Sequence, residues 1–143
     1  MCNLTIHDIS LSSWNIIHKA AYCGNYAALE EELNSGANPN FTVDKFESKL
    51  TPLFSTQKIT VYFDNMTPIY IATVMGHTDC VRLLLARGAD PTIKARNTYY
   101  NMSSCSALTA SLWFGNFKCY RLMKNHINYK SSGDSSKKYL LAS

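Results

Sequence analysis

Long apolar runs are missing from this chain. None of its 143 residues belongs to a stretch near the ~20 apolar residues a membrane-crossing helix needs, and Met1-Cys2-Asn3-Leu4 lacks the basic start and apolar run of a secretory leader. The expected location is intracellular, in the cytoplasm, without a membrane partner. Charge is also scarce, at 17% of residues, and the formal net charge is only +4. Half of that excess falls between Lys130 and Lys138, so no concentrated basic groove is expected and nucleic acid is not the expected partner. The five cysteines, at positions 2, 23, 80, 105 and 119, form no C-x-x-C pair and no short Cys/His cluster. That excludes the usual metal-site spacings, and an odd count argues against a complete disulfide framework. Reduced, buried or partly buried thiols are expected instead. There is no phosphate-binding glycine loop, no H-E-x-x-H helix and no convincing Ser/His/Asp or Cys/His arrangement, so neither catalysis nor a cofactor is expected.

What is present is a patterned globular chain of one-domain length, 46% hydrophobic. In Thr67-Pro68-Ile69-Tyr70-Ile71-Ala72, the Thr67 hydroxyl can cap a helix. Pro68 fits its first turn, where the missing N–H would be unpaired anyway. Gly76 and Gly88 are placed to end helices in the left-handed conformation, one before and one after the apolar run Val81, Leu83, Leu84, Leu85. The unit reads as helix, turn, helix, loop.

The unit recurs. Setting Thr67 against Asn15 aligns Gly24 with Gly76 and Gly36-Ala37-Asn38-Pro39 with Gly88-Ala89-Asp90-Pro91, without a gap. Setting Ser106 against Thr67 aligns Gly115-Asn116 with Gly76-His77 and Cys119 with Cys80. The third copy lacks the proline and the G-A-D ending, as suits a terminal repeat whose outer face meets water. Three copies are thus expected, at about 15–40, 67–92 and 106–128, within a domain spanning 14–129. Residues 1–13 would form a cap segment, through Ile6, Ile9 and Leu11 with Trp14 sealing the first helix, and 130–143 a polar, mobile tail.

These residues resemble the ankyrin-repeat family, which opens its unit with T-P-L-H-x-A and closes it with an apolar run before G-A-D. The resemblance implies an all-α solenoid of helix-turn-helix repeats that binds proteins rather than catalysing a reaction. It implies a concave binding face made by the first helices and the loop tips. The two positions before each mid-repeat glycine, Tyr22-Cys23, Val74-Met75 and Trp113-Phe114, would face it. Tyr22, Met75, Trp113 and Phe114 are therefore candidate contacts, of the aromatic and Met chemistry that interface centres favour. Cover for an exposed end of the core stays open for Trp113 and Phe114. Lys94, Arg96, Tyr99 and Tyr100 belong to the loop after the second copy and are the second set of candidates, with plain solvated loop charge as the alternative. His18, at the signature His, would tie neighbouring loops together by hydrogen bonds. The run His77 to Leu85 is similar to repeats of the ankyrin repeat and SOCS box family, whose C-terminal box docks elongin and a cullin. Only the polar tail follows Tyr129, so the alternative function is the substrate-receptor portion of a cullin-type ubiquitin-ligase adaptor lacking that box.

The spacing departs from the family. Thr67 follows Asn15 by 52 residues and Ser106 follows Thr67 by 39, against a family period of ~33. The insertion, 41–65, contains Val43, Phe46, Leu50, Leu53, Phe54, Ile59, Val61, Tyr62 and Phe63, too apolar for an idle linker. Leu50-Thr51-Pro52-Leu53-Phe54 mimics a repeat opening, whereas Lys58 to Phe63 suggests a short strand. An abortive repeat and an enlarged finger both fit. Asn-x-Ser/Thr sequons stand at Asn3, Asn40, Asn65 and Asn101, by chance in a chain this rich in Asn, Ser and Thr.

Overall fold

A computed structural model describes residues 15–44, 46–50, 56–57, 59–97 and 102–132. Three helix pairs follow one another: α1 (Ile16–Cys23) with α2 (Tyr26–Asn34), α3 (Pro68–Val74) with α4 (Thr78–Ala86), and α5 (Ala107–Trp113) with α6 (Phe117–Ser132). The first helices pack side by side in the order α1, α3, α5, and the second helices in the order α2, α4, α6. The result is the helical solenoid that the repeat pattern implies.

Local chemistry sets the helix ends. Thr67 Oγ accepts from the Tyr70 N–H at 3.2 Å with Pro68 at the first helical position, as the sequence indicated. Ser106 does the same for Thr109 at 3.4 Å. Asn15 at the equivalent place makes no side-chain cap. Gly76 (φ 76) and Gly88 (φ 91) take the left-handed backbone expected of them. α6 runs on to Ser132, taking in the first residues of the segment read as a tail; residues 133–143, like 1–14, lie outside the described set.

The core lies between the two rows of helices and is densest in the middle repeat. Every residue of α3 is buried, and Val81, Leu84 and Leu85 of α4 are at most 1% exposed. Repeat two has a neighbour on each side, so both its faces are covered. In repeat three, Ser111 replaces Ala72 without orphaning a polar group, because its hydroxyl donates to the Leu108 carbonyl at 2.5 Å.

The 41–65 insertion proves to be an enlarged finger. β1 (Phe46–Leu50) and β2 (Ile59–Asp64) form an antiparallel hairpin in which Phe46 opposes Phe63 and Leu50 opposes Ile59. Leu50 thus ends a strand instead of opening a helix, and the repeat-like residues 51–55 fall outside the described set. The strand expected over 58–63 is present, set one residue later. The finger after repeat two is a second hairpin, β3 (Lys94–Asn97) with β4 (Met102–Ser106), with an irregular register between Ala95 and Asn97. β2 pairs with β3, so both fingers join one four-stranded antiparallel sheet in the order β1-β2-β3-β4. An isolated bridge between Val43 and Met66 closes the base of the first finger. Asn65 turns the chain there at φ 60, with its N–H on Asp44 Oδ1 (2.8 Å) and its amide donating to the Lys94 carbonyl (2.8 Å).

Candidate functional site

Three equivalent positions end the first helices, and their burial separates two kinds of surface. Cys23, Met75 and Phe114 are half-buried in all three repeats, whether or not a repeat follows. They form a lateral row whose exposure does not depend on stacking, and Met75 and Phe114 pack against the core from outside. One position earlier the pattern is graded. Tyr22 is half-buried, Val74 is 4% exposed and Trp113 is 40% exposed. Trp113 is open where Val74 is closed because repeat three has no described repeat beyond it. Of the four expected concave contacts, Met75 and Phe114 therefore belong to the lateral row, while Tyr22 and Trp113 stand at the graded position beside it, Trp113 towards the end of the stack.

Backbone carbonyls beneath this row carry the seams between repeats. His77, just after the mid-repeat glycine of repeat two, donates Nε2–H to the Tyr22 carbonyl at 2.9 Å. Asn116, its equivalent in repeat three, donates Nδ2–H to the carbonyls of Thr73 (2.5 Å) and Val74 (3.4 Å). Each seam thus holds the last turn of the preceding first helix, fixing how the lateral residues are presented.

The sheet supplies the second set. Lys94 and Arg96 are exposed on β3, with buried Ala95 between them, so both cations project from the same outward face by strand alternation. Asp64 stands opposite Arg96 in the register, and Tyr62, two residues earlier on β2, is 53% exposed. The outward face therefore carries two cations, a carboxylate and an aromatic ring. Tyr62 was legible only as one apolar residue among many in the insertion; its side of the strand depends on pairing with β3, which composition does not announce. Tyr99 and Tyr100 lie outside the described residues. On the inward face, Cys105 Sγ meets the buried Tyr70 hydroxyl at 3.0 Å and ties the second finger to α3.

His18 plays the tying role expected of it. Its Nε2–H donates to the Phe41 carbonyl at 2.6 Å and its ring meets Phe41 edge-on at 5.8 Å, pinning the start of the first finger to α1. Burial lowers its pKa, against an opposing contribution from that hydrogen bond. Cys80 and Cys119 occupy equivalent buried sites as free thiols. Burial, with the nearby Asp79 carboxylate, pushes Cys80 up to about 11, and burial also raises Cys119, so both are poor nucleophiles. Cys23 takes part in a disulfide, which corrects the expectation of reduced thiols throughout. Among the described residues no group of three or more His, Cys, Asp or Glu is placed to hold a metal ion. Two of the sequon asparagines are structural. Asn40 Oδ1 accepts from the Asp90 N–H at 2.7 Å and its amide reaches the Gly88 carbonyl at 3.3 Å, linking the loops of repeats one and two, while Asn65 holds the base of the finger.

A family model described as ankyrin repeats, three copies, matches residues 1–95. The chain belongs to the ankyrin-repeat family. The match ends within β3, and the helix pair α5–α6 continues the stack beyond it as the weaker third copy. Mouse "Ankyrin repeat and SOCS box protein 12" is 38% identical over 70 residues, which cover 46% of this chain and 18% of that protein. The chain thus spans less than a fifth of that relative. No helix among the described residues is long and apolar enough to cross a membrane. An ankyrin-repeat chain of this kind is a protein-interaction module.

Proposed function

We propose that this ankyrin-repeat domain is non-catalytic and holds a protein partner across the lateral row of the first helices and the outward face of the finger sheet. The observation that carries this is the row Cys23, Met75, Phe114, half-buried at the same position in every repeat. Aromatic and Met side chains that keep part of their surface exposed at equivalent places are the chemistry that the centres of protein interfaces favour. Tyr22 widens the row, and Lys94, Arg96 and Tyr62 add polar and aromatic contacts at the side, an apolar centre with a polar rim. No nucleic acid or cofactor is needed by this arrangement. The test is affinity capture from a cytoplasmic lysate, with the intact chain and with the double variant Tyr22→Ala/Met75→Ala. Proteins held by the first and lost with the second are expected; identical sets would sink the proposal.

A second reading is the substrate-receptor portion of a cullin-type ubiquitin-ligase adaptor. It rests on the segment similar to the mouse ankyrin repeat and SOCS box protein. On this reading the segment lacks the C-terminal box that docks elongin and a cullin, so the test uses the natural whole protein as bait in a lysate: elongin and a cullin among the captured proteins are expected, and their absence would sink it.

A further inference from the structure

We propose that the chain associates with itself head to tail, the outer face of repeat three stacking on the outer face of repeat one in a second copy. The internal repeats define what such a contact would use. Residues buried in repeats one and two but open in repeat three face forward along the stack; those buried in repeats two and three but open in repeat one face backward. Leu112 is a forward residue, 41% exposed where Ala21 and Thr73 are fully buried. Ile16 is a backward residue, 57% exposed where Pro68 is buried and Ala107 is 1% exposed.

The forward face is mixed rather than plainly polar. Lys124 and Asn128 stand where repeat two has buried Leu85 and Ala89, which is how a terminal repeat meets water. Yet Leu112 breaks the pattern; Phe117, 51% exposed, matches Tyr26, which is 44% exposed with repeat two stacked beside it. The backward face offers a groove lined by Ile16, Ile17, Ala37 and Phe41 and by Glu32, and Lys19 is partly open there where Ile71 and Ala110 are buried. Both outer faces thus mix apolar and charged residues, and both are faces of one repeat type.

The contacts between repeats two and three then say what meets what. Thr78 Oγ lies 3.8 Å from Cys119 Sγ and Thr73 Oγ 3.8 Å from Met123 Sδ, so the equivalent pairs across two copies are Phe117 with Ala28 and Leu112 with Glu32. Asn116 stitches its seam by donating to the Thr73 and Val74 carbonyls, and repeat one carries the same residue type there, Asn25. Its amide nitrogen is the equivalent donor towards the Leu112 and Trp113 carbonyls of another copy. Charge agrees. α2 presents Glu30, Glu31 and Glu32 and no cation, whereas α6 presents Lys118, Arg121 and Lys124 and no carboxylate. Since second helices lie in one row, head-to-tail stacking sets the acidic helix of one copy beside the basic helix of the other.

A contact between two different faces does not close on itself, so association should continue with concentration rather than stop at a dimer. The test is sedimentation of the full-length purified chain across a wide concentration range at low and high ionic strength. The mean mass is expected to exceed that of one chain, to rise with concentration and to fall with salt, because the paired charges are solvent-accessible. Arg121→Glu/Lys124→Glu and Glu31→Lys/Glu32→Lys should each sediment as single chains, and an equal mixture of the two should associate again. A single-chain mass for the unmodified protein at every concentration overturns the proposal, as does association of either double variant alone or a mixture that stays monomeric. Its failure would leave the partner-binding reading intact, because mass is measured on the pure protein.

Discussion

Gly24→Ala probes the seam between repeats one and two. Gly24 holds φ 70 at the end of α1, and a Cβ there would lie 2.7 Å from His77 Nδ1 and 2.9 Å from its Cγ and Cε1. These include the root of the ring, so the imidazole as a whole must move and its 2.9 Å hydrogen bond to the Tyr22 carbonyl is lost. Placing an alanine in left-handed backbone costs about 1–2 kcal/mol. Losing the hydrogen bond adds about 1 kcal/mol, for a total of about 2–3 kcal/mol. In a His77→Ala background the ring and its bond are already gone, and only the backbone cost of about 1–2 kcal/mol remains. The two changes should therefore couple by about 1 kcal/mol in a double-mutant cycle. Equilibrium urea unfolding of the four proteins, followed by far-ultraviolet circular dichroism, measures this. Additivity to within about 0.3 kcal/mol would refute the idea that the glycine is there to admit the histidine ring.

Asn40→Ala removes both the Asp90 N–H and the Gly88 carbonyl contacts and should lower stability by about 1–2 kcal/mol, read by the same unfolding assay. Met75→Ala should weaken partner binding by on the order of 2 kcal/mol in a titration against a captured partner. Trp113→Ala should cost stability well below the ~3 kcal/mol of a buried aromatic, because the ring is 40% exposed. Stability should fall as pH drops below about 6.5, the unfolded-state histidine value. Burial holds the pKa of both His18 and His126 down, so the unfolded chain takes up more protons than the folded one. For His126, Lys130 adds to the lowering and the Asp90 carboxylate opposes it. Asp90, held low chiefly by its hydrogen bond from Thr92, acts in the same direction at still lower pH. His126→Gln should flatten the mildly acidic part of this dependence, and an unchanged profile would show that His126 does not contribute.

The helices were legible because each is punctuated locally. Thr67 and Pro68 announce α3, and the glycines at 24, 76 and 115 announce the ends of the first helices within a few residues in sequence. The register of three copies then gave the stacking order, since equivalent helices of successive copies lie side by side while each first helix also packs on its own second helix. The first finger was less legible. Leu50-Thr51-Pro52 imitates a helix start, and what overrides it is pairing between residues 46–50 and 59–64, followed by pairing of β2 with a strand some thirty residues further on. Such contacts leave no local mark. For the same reason Tyr22, Met75, Trp113 and Phe114 could be named but not sorted, because sorting requires knowing which exposures survive stacking.

That distinction separates the two proposed surfaces physically. Met75 already has repeats on both sides and remains half-buried, so another stacked unit would do little to the lateral row. Leu112 has buried counterparts in both earlier repeats, so another unit should cover it. A solenoid can thus extend along its axis without using its flank, and on the two proposals a partner held on the flank need not compete with a second copy at the end. The seams make this concrete. Each uses carbonyls near the end of a first helix, and these carbonyls belong to the same helical turns that present Tyr22 and Met75 outward. Loosening a seam should disturb both neighbours of that turn, whereas mutating the outward side chains should leave stacking unchanged. Stability and partner affinity should therefore fall together for His77→Ala and separately for Met75→Ala.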